Sequence, residues 1–355
     1  MEKILTIVIP TYNMQDYLRR CLDSLIVPEE QMKQLEVLVI NDGSKDNSSA
    51  IAHEYQDKYP DTFRVIDKEN GNYGSCVNRG LKEATGKYIK ILDADDWFDT
   101  NVLNIFMQKL IDTDVDVVLT NFDCYYPDRT EKVILNIKQK DKIISLSDTM
   151  NESLPQMVGI QMHAICYKRK IFTGLNYHQT EGISYTDQEW ILIPWAKVED
   201  LLFLPISLYQ YDLGRDGQTM DPKVFEKRID DQFVGIMNSI MMIEAVLSQI
   251  DELHKKLLSL KMLSRMESIY KFYLTRRYAK EQCSKFIEFD EKLKKSFPFY
   301  YTKLNQVKMS KYYSCHYIQK WRKGGYVPLN SGLFLCNDAI VNIVSGIKKL
   351  VGYHG

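Results

Sequence analysis

The chain lacks any apolar run near the roughly 18 residues that a membrane-spanning helix needs, so no integral membrane segment is expected. Its N-terminus lacks the charged region, long apolar stretch and small-residue cleavage site of a secretory leader, and residues 4–9 read instead as a first strand. The seven cysteines form no Cys-x-x-Cys pair and no pairing rhythm, which argues against a disulfide framework or a thiolate metal site and for a reduced, cytoplasmic setting. A surplus of charge is also missing: 46 Lys and Arg face 47 Asp and Glu, a net −1, and no nucleic-acid partner is expected.

That balance hides an asymmetry. Residues 1–222 carry 23 basic and 35 acidic side chains, a balance of −12, whereas residues 223–355 carry 23 and 12, a balance of +11. With 45% apolar and 26% charged residues the chain is globular. Its 355 residues suit two domains, an acidic one over 1–222 and a basic, mainly helical region over 223–355.

What is present centres on Tyr88-Ile89-Lys90-Ile91-Leu92 running into Asp93-Ala94-Asp95-Asp96. An apolar run of strand length that ends in three carboxylates delivers acids to the edge of a sheet, where open α/β sheets hold ligands. Like charges that close together raise one another's pKa unless a cation sits between them. A hard divalent ion with oxygen ligands, Mg²⁺ or Mn²⁺, meets that need and is commonly shared with substrate phosphates. An acidic turn in which Asp96 or Asp99 caps the next helix accounts for the stretch equally well.

Around it, strands at 5–9, 36–40, 63–67 and 88–92 alternate with helical spacing at Tyr17, Leu18, Cys21, Leu22 and Leu25 and again over 47–58. Alternation of this kind predicts a mostly parallel, doubly wound sheet. Two strands close in polar turns, Pro10-Thr11-Tyr12-Asn13 and Asn41-Asp42-Gly43-Ser44, on the same edge as Asp93–Asp96. The loop from Glu69 to Gly80 has glycines that let backbone approach a ligand, and a helix starting near Tyr73 offers N–H groups to an anion. It is neither a Walker loop nor a Rossmann fingerprint.

Four motifs in this order and spacing, Ile7-Val8-Ile9-Pro10-Thr11-Tyr12-Asn13, Val39-Ile40-Asn41-Asp42-Gly43-Ser44-Lys45-Asp46, the loop from Asn70 to Gly86, and Leu92-Asp93-Ala94-Asp95-Asp96, closely resemble the family 2 inverting glycosyltransferases of GT-A fold, over about the first 220 residues. The resemblance implies an α/β GT-A domain that moves a sugar from a nucleotide diphosphate sugar, most simply a UDP-sugar, to a hydroxyl of a glycan or lipid-linked saccharide in surface polysaccharide synthesis. By the same resemblance Pro10, Thr11, Tyr12 and Asn13 line the nucleotide, and Asp42 accepts the imide N–H of uracil. Gly74 and Asn78 shape the nearby loop, Asp93 faces ribose or the metal shell, and Asp95 with Asp93 holds Mn²⁺ or Mg²⁺. Asp187 falls where the family carries its catalytic base, with Thr186 in place of the first acid of the usual Glu-Asp pair; Glu189 is a rival, and Asp187 as a helix cap is the plain alternative. Arg215, in a glycine-flanked loop, suits a diphosphate because its guanidinium offers paired donors, or it is an ordinary surface arginine.

Further along, residues 101–111 read as a helix, 115–120 as a strand, 123–138 as a hairpin, 164–168 and 206–211 as strands, and 188–195 as a helix, while 140–160 have no clear pattern. From Val224 the spacing is helical to about residue 295, and the tyrosines there read mainly as core. Ile340, Ile343, Val344, Ile347, Leu350 and Val351 share one helical face, expected to dock on the protein, with peripheral contact to an anionic membrane as the alternative. Gln319-Lys320-Trp321-Arg322-Lys323 lacks the Trp of the Gln-x-x-Arg-Trp motif of processive synthases, so a non-processive enzyme is expected. Two other classes are open: a sugar nucleotidyltransferase, which should show a Gly-x-Gly-x-Arg loop absent here, and a non-catalytic nucleotide-sugar-binding protein.

Overall fold

The computed structural model describes residues 2–214, 218, 222–274, 280–309 and 315–326; Arg215 and the apolar face of 340–351 lie outside the described residues. The chain divides into two compact units, residues 1–258 and 259–355. The change of charge at 222/223 lies within the first of these units. The helix that follows residue 228 buries Ile229, Phe233, Ile236, Ile240 and Ile243 within the first unit.

The first unit opens with β1 (Leu5–Thr11), α1 (Leu18–Asp23), α2 (Glu29–Gln34), β2 (Leu35–Asn41), α3 (Ser48–Lys58), β3 (Phe63–Asp67), α4 (Asn72–Glu83) and β4 (Tyr88–Ile91). Each strand carries the β-branched or aromatic residues that a pleated, doubly covered surface favours, and β1, β2 and β4 are buried along nearly their whole length. β3, β2, β1 and β4 lie side by side and parallel, the doubly wound half expected from the sequence.

Beyond β4 come β5 (Trp97–Phe98), α5 (Thr100–Ile111), β6 (Val117–Tyr125), β7 (Thr130–Val133), β8 (Ile143–Ser145), α6 (Leu146–Val158), β9 (Ile165–Lys168), α7 (Asp187–Leu192), β10 (Asp200–Asp212), α8 (Pro222–Lys227) and α9 (Ile229–Val246). Asp99 caps α5 by accepting from the amides of Asn101 and Val102 at 3.0 and 3.1 Å, the capping role expected of either Asp96 or Asp99. β9 enters antiparallel between β4 and β6, and the sheet continues in the order β3-β2-β1-β4-β9-β6-β10-β5. β6 and β7 form the expected hairpin.

β10 starts at Asp200, six residues before the expected strand. Pro205 interrupts it, since proline has no ladder N–H, and the pairing with β6 shifts register between Leu204 and Ser207. The helix expected over 188–195 is α7 followed by a 3₁₀ turn, Ile193–Lys197, where Pro194 cannot continue the α-helical ladder.

α10 (Glu252–Leu274) crosses the boundary between the units, and α11 (Lys280–Ser296), α12 (Pro298–Leu304) and α13 (Tyr317–Lys323) follow. The second unit is built around Tyr270, Phe286, Phe289, Leu293 and Trp321, all buried. Tyr270, Tyr273, Tyr300 and Tyr317 are core residues, as expected for most of the tyrosines in this region. Arg322 is held in that core by Asp290, at 2.6 Å.

Candidate active site

β1, β2 and β4 end at one edge of the sheet, and the turns after them are laced together. The carbonyl of Thr11 accepts from the Asp42 amide at 2.8 Å. The Asn13 amide donates to Ser44 Oγ at 3.0 Å, and Asn13 Oδ1 accepts from the Lys45 amide at 2.7 Å. Asn13 has φ +54, a left-handed conformation that asparagine tolerates because its short side chain bonds locally. Thr11 is buried, Pro10 half-buried, and Tyr12 stands out, 46% exposed.

Asp42 lies beneath this turn, 3% exposed. Its Oδ1 accepts from Lys68 Nζ at 2.5 Å and from the Gly71 amide at 2.9 Å, so the acid is fixed between β2 and the loop that opens α4.

Gly74 and Asn78 serve that helix in a way the sequence does not reveal. A Cβ on Gly74 would lie 2.1 Å from the Thr180 carbonyl oxygen and 3.2 Å from Thr186 Oγ1, so glycine is required for α4 to meet the 180–186 segment. Asn78 Nδ2 donates to the Gln179 carbonyl and to Glu181 Oε1, each at 2.9 Å, while its Oδ1 accepts from the Gln179 amide at 2.8 Å. Both residues anchor the segment that leads to Asp187.

At the end of β4 the three carboxylates take different positions. Asp93 and Asp95 are half-buried, and Asp96 is 1% exposed. Asp93 Oδ1 accepts from the Tyr73 hydroxyl at 2.9 Å, and the Asp93 amide donates to the Tyr209 hydroxyl at 3.1 Å. That Tyr209 hydroxyl donates in turn to Asp96 Oδ2 at 2.6 Å, and the Asp212 amide to Asp96 Oδ1 at 2.8 Å. Burial first, and then the charges of Asp95 and Asp93, push the Asp96 carboxyl well above the usual range.

Arg20 closes the same loop from outside. It donates to the Asp95 carbonyl at 2.6 Å and to Asp212 Oδ2 at 2.5 Å, with its guanidinium 4.0 Å over the Trp97 ring.

Asp187 is the first residue of α7; the cap position is Thr186, whose side chain makes no capping bond. Tyr211 lies within electrostatic reach of Asp187 and of the acids that follow β4. Burial raises the pKa of its phenol, and after burial the charges of Asp96, Asp93, Asp187 and Asp95 raise it further. Tyr73 is raised by burial and then by Asp93 and Asp187. Glu189, the rival base, is fully buried and accepts from the Thr180 amide and hydroxyl, each at 2.7 Å, so its carboxylate holds the loop.

The donor set at this edge fits a divalent cation. One oxygen each from Asp93 and Asp96 and a ring nitrogen of His163 lie within 4.8 Å of one another, and His163 Nδ1 is buried with no hydrogen-bond partner. Burial and then the charge of Lys90 lower the His163 pKa to about 3, so the ring is neutral and able to ligate. The sequence singles out Asp93 and Asp95; the side chains that converge with Asp93 in this cluster are Asp96 and His163. Tyr73, His163, Tyr209, Tyr211 and Arg20 were not found from the sequence. Their partners are distant along the chain, 116 residues for Asp93 with Tyr209 and 192 for Arg20 with Asp212.

Residues 6–175 match the model of the Glycosyl transferase family 2. The chain is 27% identical to Glycosyltransferase GlyA of Streptococcus pneumoniae over 59% of its own length and 31% of that protein. It is 35% identical to the Minor teichoic acid biosynthesis protein GgaB of Bacillus subtilis over 31% of its length and 13% of that protein. These matches cover less than a third of either relative. Residues 1–349 of S. aureus TarS, solved in complex with UDP-GlcNAc, superpose with a TM-score of 0.62 over 79% of this chain and 78% of that one, at 20% identity. With the parallel β3-β2-β1-β4 half, the acids at the end of β4 and this agreement in hand, residues 6–175 form a family 2 glycosyltransferase domain, on a GT-A fold shared with TarS.

Proposed function

We propose that the protein is a non-processive, inverting transferase that moves a sugar from a UDP-sugar to a hydroxyl of a glycan or lipid-linked acceptor in surface polymer synthesis, with residues 1–222 as the transferase domain and 223–355 as a basic helical region. The observation that carries the proposal is the meeting of polar strand ends with four carboxylates, Asp93, Asp95, Asp96 and Asp187, around Tyr73 and Tyr211 at one sheet edge. The choice of UDP leans on TarS, whose structure holds UDP-GlcNAc, and the choice of a surface polymer on GgaB, named for teichoic acid biosynthesis.

In this reading residues 10–13 line the nucleotide and Asp42, fixed by Lys68, accepts from the base. Gly74 and Asn78 set the loop beside it, and Arg215 faces the diphosphate. Asp93 and Asp95 hold Mn²⁺ or Mg²⁺. A bound cation supplies positive charge against the diphosphate as the leaving group gains negative charge. Asp187 takes the proton from the acceptor hydroxyl, which attacks the face opposite the leaving group, and a single displacement inverts the anomeric carbon. Glu189 is less suited to that task, since both its oxygens hold Thr180. Among the described residues no helix is long and apolar enough to cross a membrane; a cytoplasmic enzyme is the setting we favour, with peripheral contact to an anionic membrane as the alternative.

A panel of nucleotide sugars, screened by thermal shift with and without Mn²⁺ and followed by transfer assays, tests the proposal. Asp187→Asn should keep nucleotide binding while turnover falls by about 10²- to 10⁴-fold; unchanged turnover removes Asp187 from the role. Asp95→Ala should abolish the Mn²⁺-dependent part of UDP binding, and a full Mn²⁺ effect in that variant removes Asp95 from the metal shell.

A further inference from the structure

His163 sits in the turn before β9, 7% exposed, and nothing in the transfer chemistry above uses it. Its ring is held on three sides. It stacks on Tyr211 with centroids 4.2 Å apart, meets Tyr209 edge-on at 4.7 Å, and lies against Phe122 at 5.0 Å. Its backbone is pinned as well, since the carbonyl accepts from Lys90 Nζ at 2.7 Å. A ring this constrained keeps its nitrogens where they are, and Nδ1 is buried with no hydrogen-bond partner.

The carboxylates of Asp93 and Asp96 lie close to this ring. One oxygen from each and a ring nitrogen lie within 4.8 Å of one another. Around an octahedral cation with bonds of roughly 2.1 Å, ligand atoms stand about 3 Å apart when adjacent and about 4.2 Å when opposite. The cluster is therefore of the size that small side-chain rotations bring onto one ion. Asp96 keeps lone pairs for it: a carboxylate offers about four acceptor sites, and Tyr209 and the Asp212 amide each donate once. Such outer donors orient a ligating carboxylate.

We propose that His163 is a nitrogen ligand of the divalent cation, joining Asp93 and Asp96 on the protein side of the ion, and that it biases the site toward Mn²⁺ over Mg²⁺. Imidazole suits transition metals, whereas Mg²⁺ keeps to oxygen and water. The inference rests on the reading that a cation binds at the end of β4, and it adds the ligand that sets which one.

Electron spin-echo envelope modulation of Mn²⁺ bound to the full chain with UDP tests it directly. A ¹⁴N modulation is expected that changes to the ¹⁵N pattern when only histidine is ¹⁵N-labelled, which separates imidazole from uracil nitrogen. It should vanish in His163→Phe, with Mn²⁺ affinity reduced by about tenfold or more and Mg²⁺ affinity reduced less. Mn²⁺ bound without histidine nitrogen overturns the proposal and leaves the cation reading standing; no bound Mn²⁺ overturns both. Should His163→Phe fail to fold, selective Mn²⁺ broadening of the His163 signal in ¹³C-histidine spectra of the unaltered chain decides the assignment, and an unbroadened signal overturns it.

Discussion

Asp96 in the first unit and Asp290 in the second are both withdrawn from solvent, 1% and 0% exposed, yet they keep different company. Asp290 receives the Arg322 guanidinium, with Nη2 at 2.6 Å and Nε at 3.1 Å from each oxygen, and the Tyr270 hydroxyl donates to it as well. Arg322 is fixed in turn over the Tyr301 ring and by Asn305 Oδ1 at 2.8 Å. Asp96 receives neutral donors, a phenol and a backbone amide, and shares its turn with Asp93 and Asp95. The difference separates two uses of one side chain. A buried carboxylate matched by a cation of the same unit is a structural joint, whereas one crowded by like charges and bonded to neutral donors is poised for a cation from outside.

The comparison breaks most readily at Arg322. Arg322→Met leaves Asp290 buried without its cation, and a loss of about 3–5 kcal/mol is expected, read as faster hydrogen exchange across α10–α13. Adding Asp290→Asn to that variant should restore most of the protection. A loss of under about 1 kcal/mol, the size of an exposed pair, would show that Asp290 tolerates isolation and that the contrast with Asp96 is empty.

Lys261 sharpens the contrast from the opposite sign. It is 5% exposed, and burial lowers its pKa from 10.5 to about 7. Below pH 7 the ammonium is charged whether the chain is folded or not. Between about pH 7 and 10.5 the unfolded chain holds a proton that the folded one has released, so stability rises with pH across that window. Lys261→Met should flatten the rise and stabilise the unit near neutral pH by a few kcal/mol, measured as exchange protection against pH. A variant with the same slope as the parent would show that the group titrates normally.

How much of this was legible in the sequence depends on the range over which each feature is encoded. β1 to β4 follow from local patterns, because a doubly covered parallel strand is a short apolar run and each of these ends in its own polar turn. The capping role of Asp99 is also local, two and three residues from its partners. β9 has the right strand pattern, but its antiparallel place between β4 and β6 depends on pairing that no local signal carries. The strand expected over 206–211 is the second half of β10, whose first half lies beyond Pro205, where a register shift accommodates the proline. Gly74 reads as a ligand-approach glycine because its real neighbour, Thr180, is over a hundred residues away. His163 is a lone histidine ahead of a strand, and only the fold brings its ring to Asp93 and Asp96.

The smallest expected effect is the most discriminating. Tyr209→Phe keeps the ring against Phe98 and His163 and removes one oxygen, which donates to Asp96 Oδ2 at 2.6 Å and accepts from the Asp93 amide at 3.1 Å. Asp96 keeps the Asp212 amide, so the folding cost should be about 1–2 kcal/mol, that of a lost neutral donor in a buried site. The orientation of Asp96 suffers more than stability does, and Mn²⁺ affinity should fall by about tenfold or more, as it does when an outer partner of a ligating carboxylate is lost. Arg322→Met should do the reverse, with a large loss of protection in the second unit and Mn²⁺ affinity unchanged. Because the two variants are expected to move opposite readouts, titrating Mn²⁺ into both beside the parent chain decides the matter. Equal Mn²⁺ affinity in Tyr209→Phe and the parent would make Asp96 a structural acid like Asp290, and the phenol that holds it a part of the core.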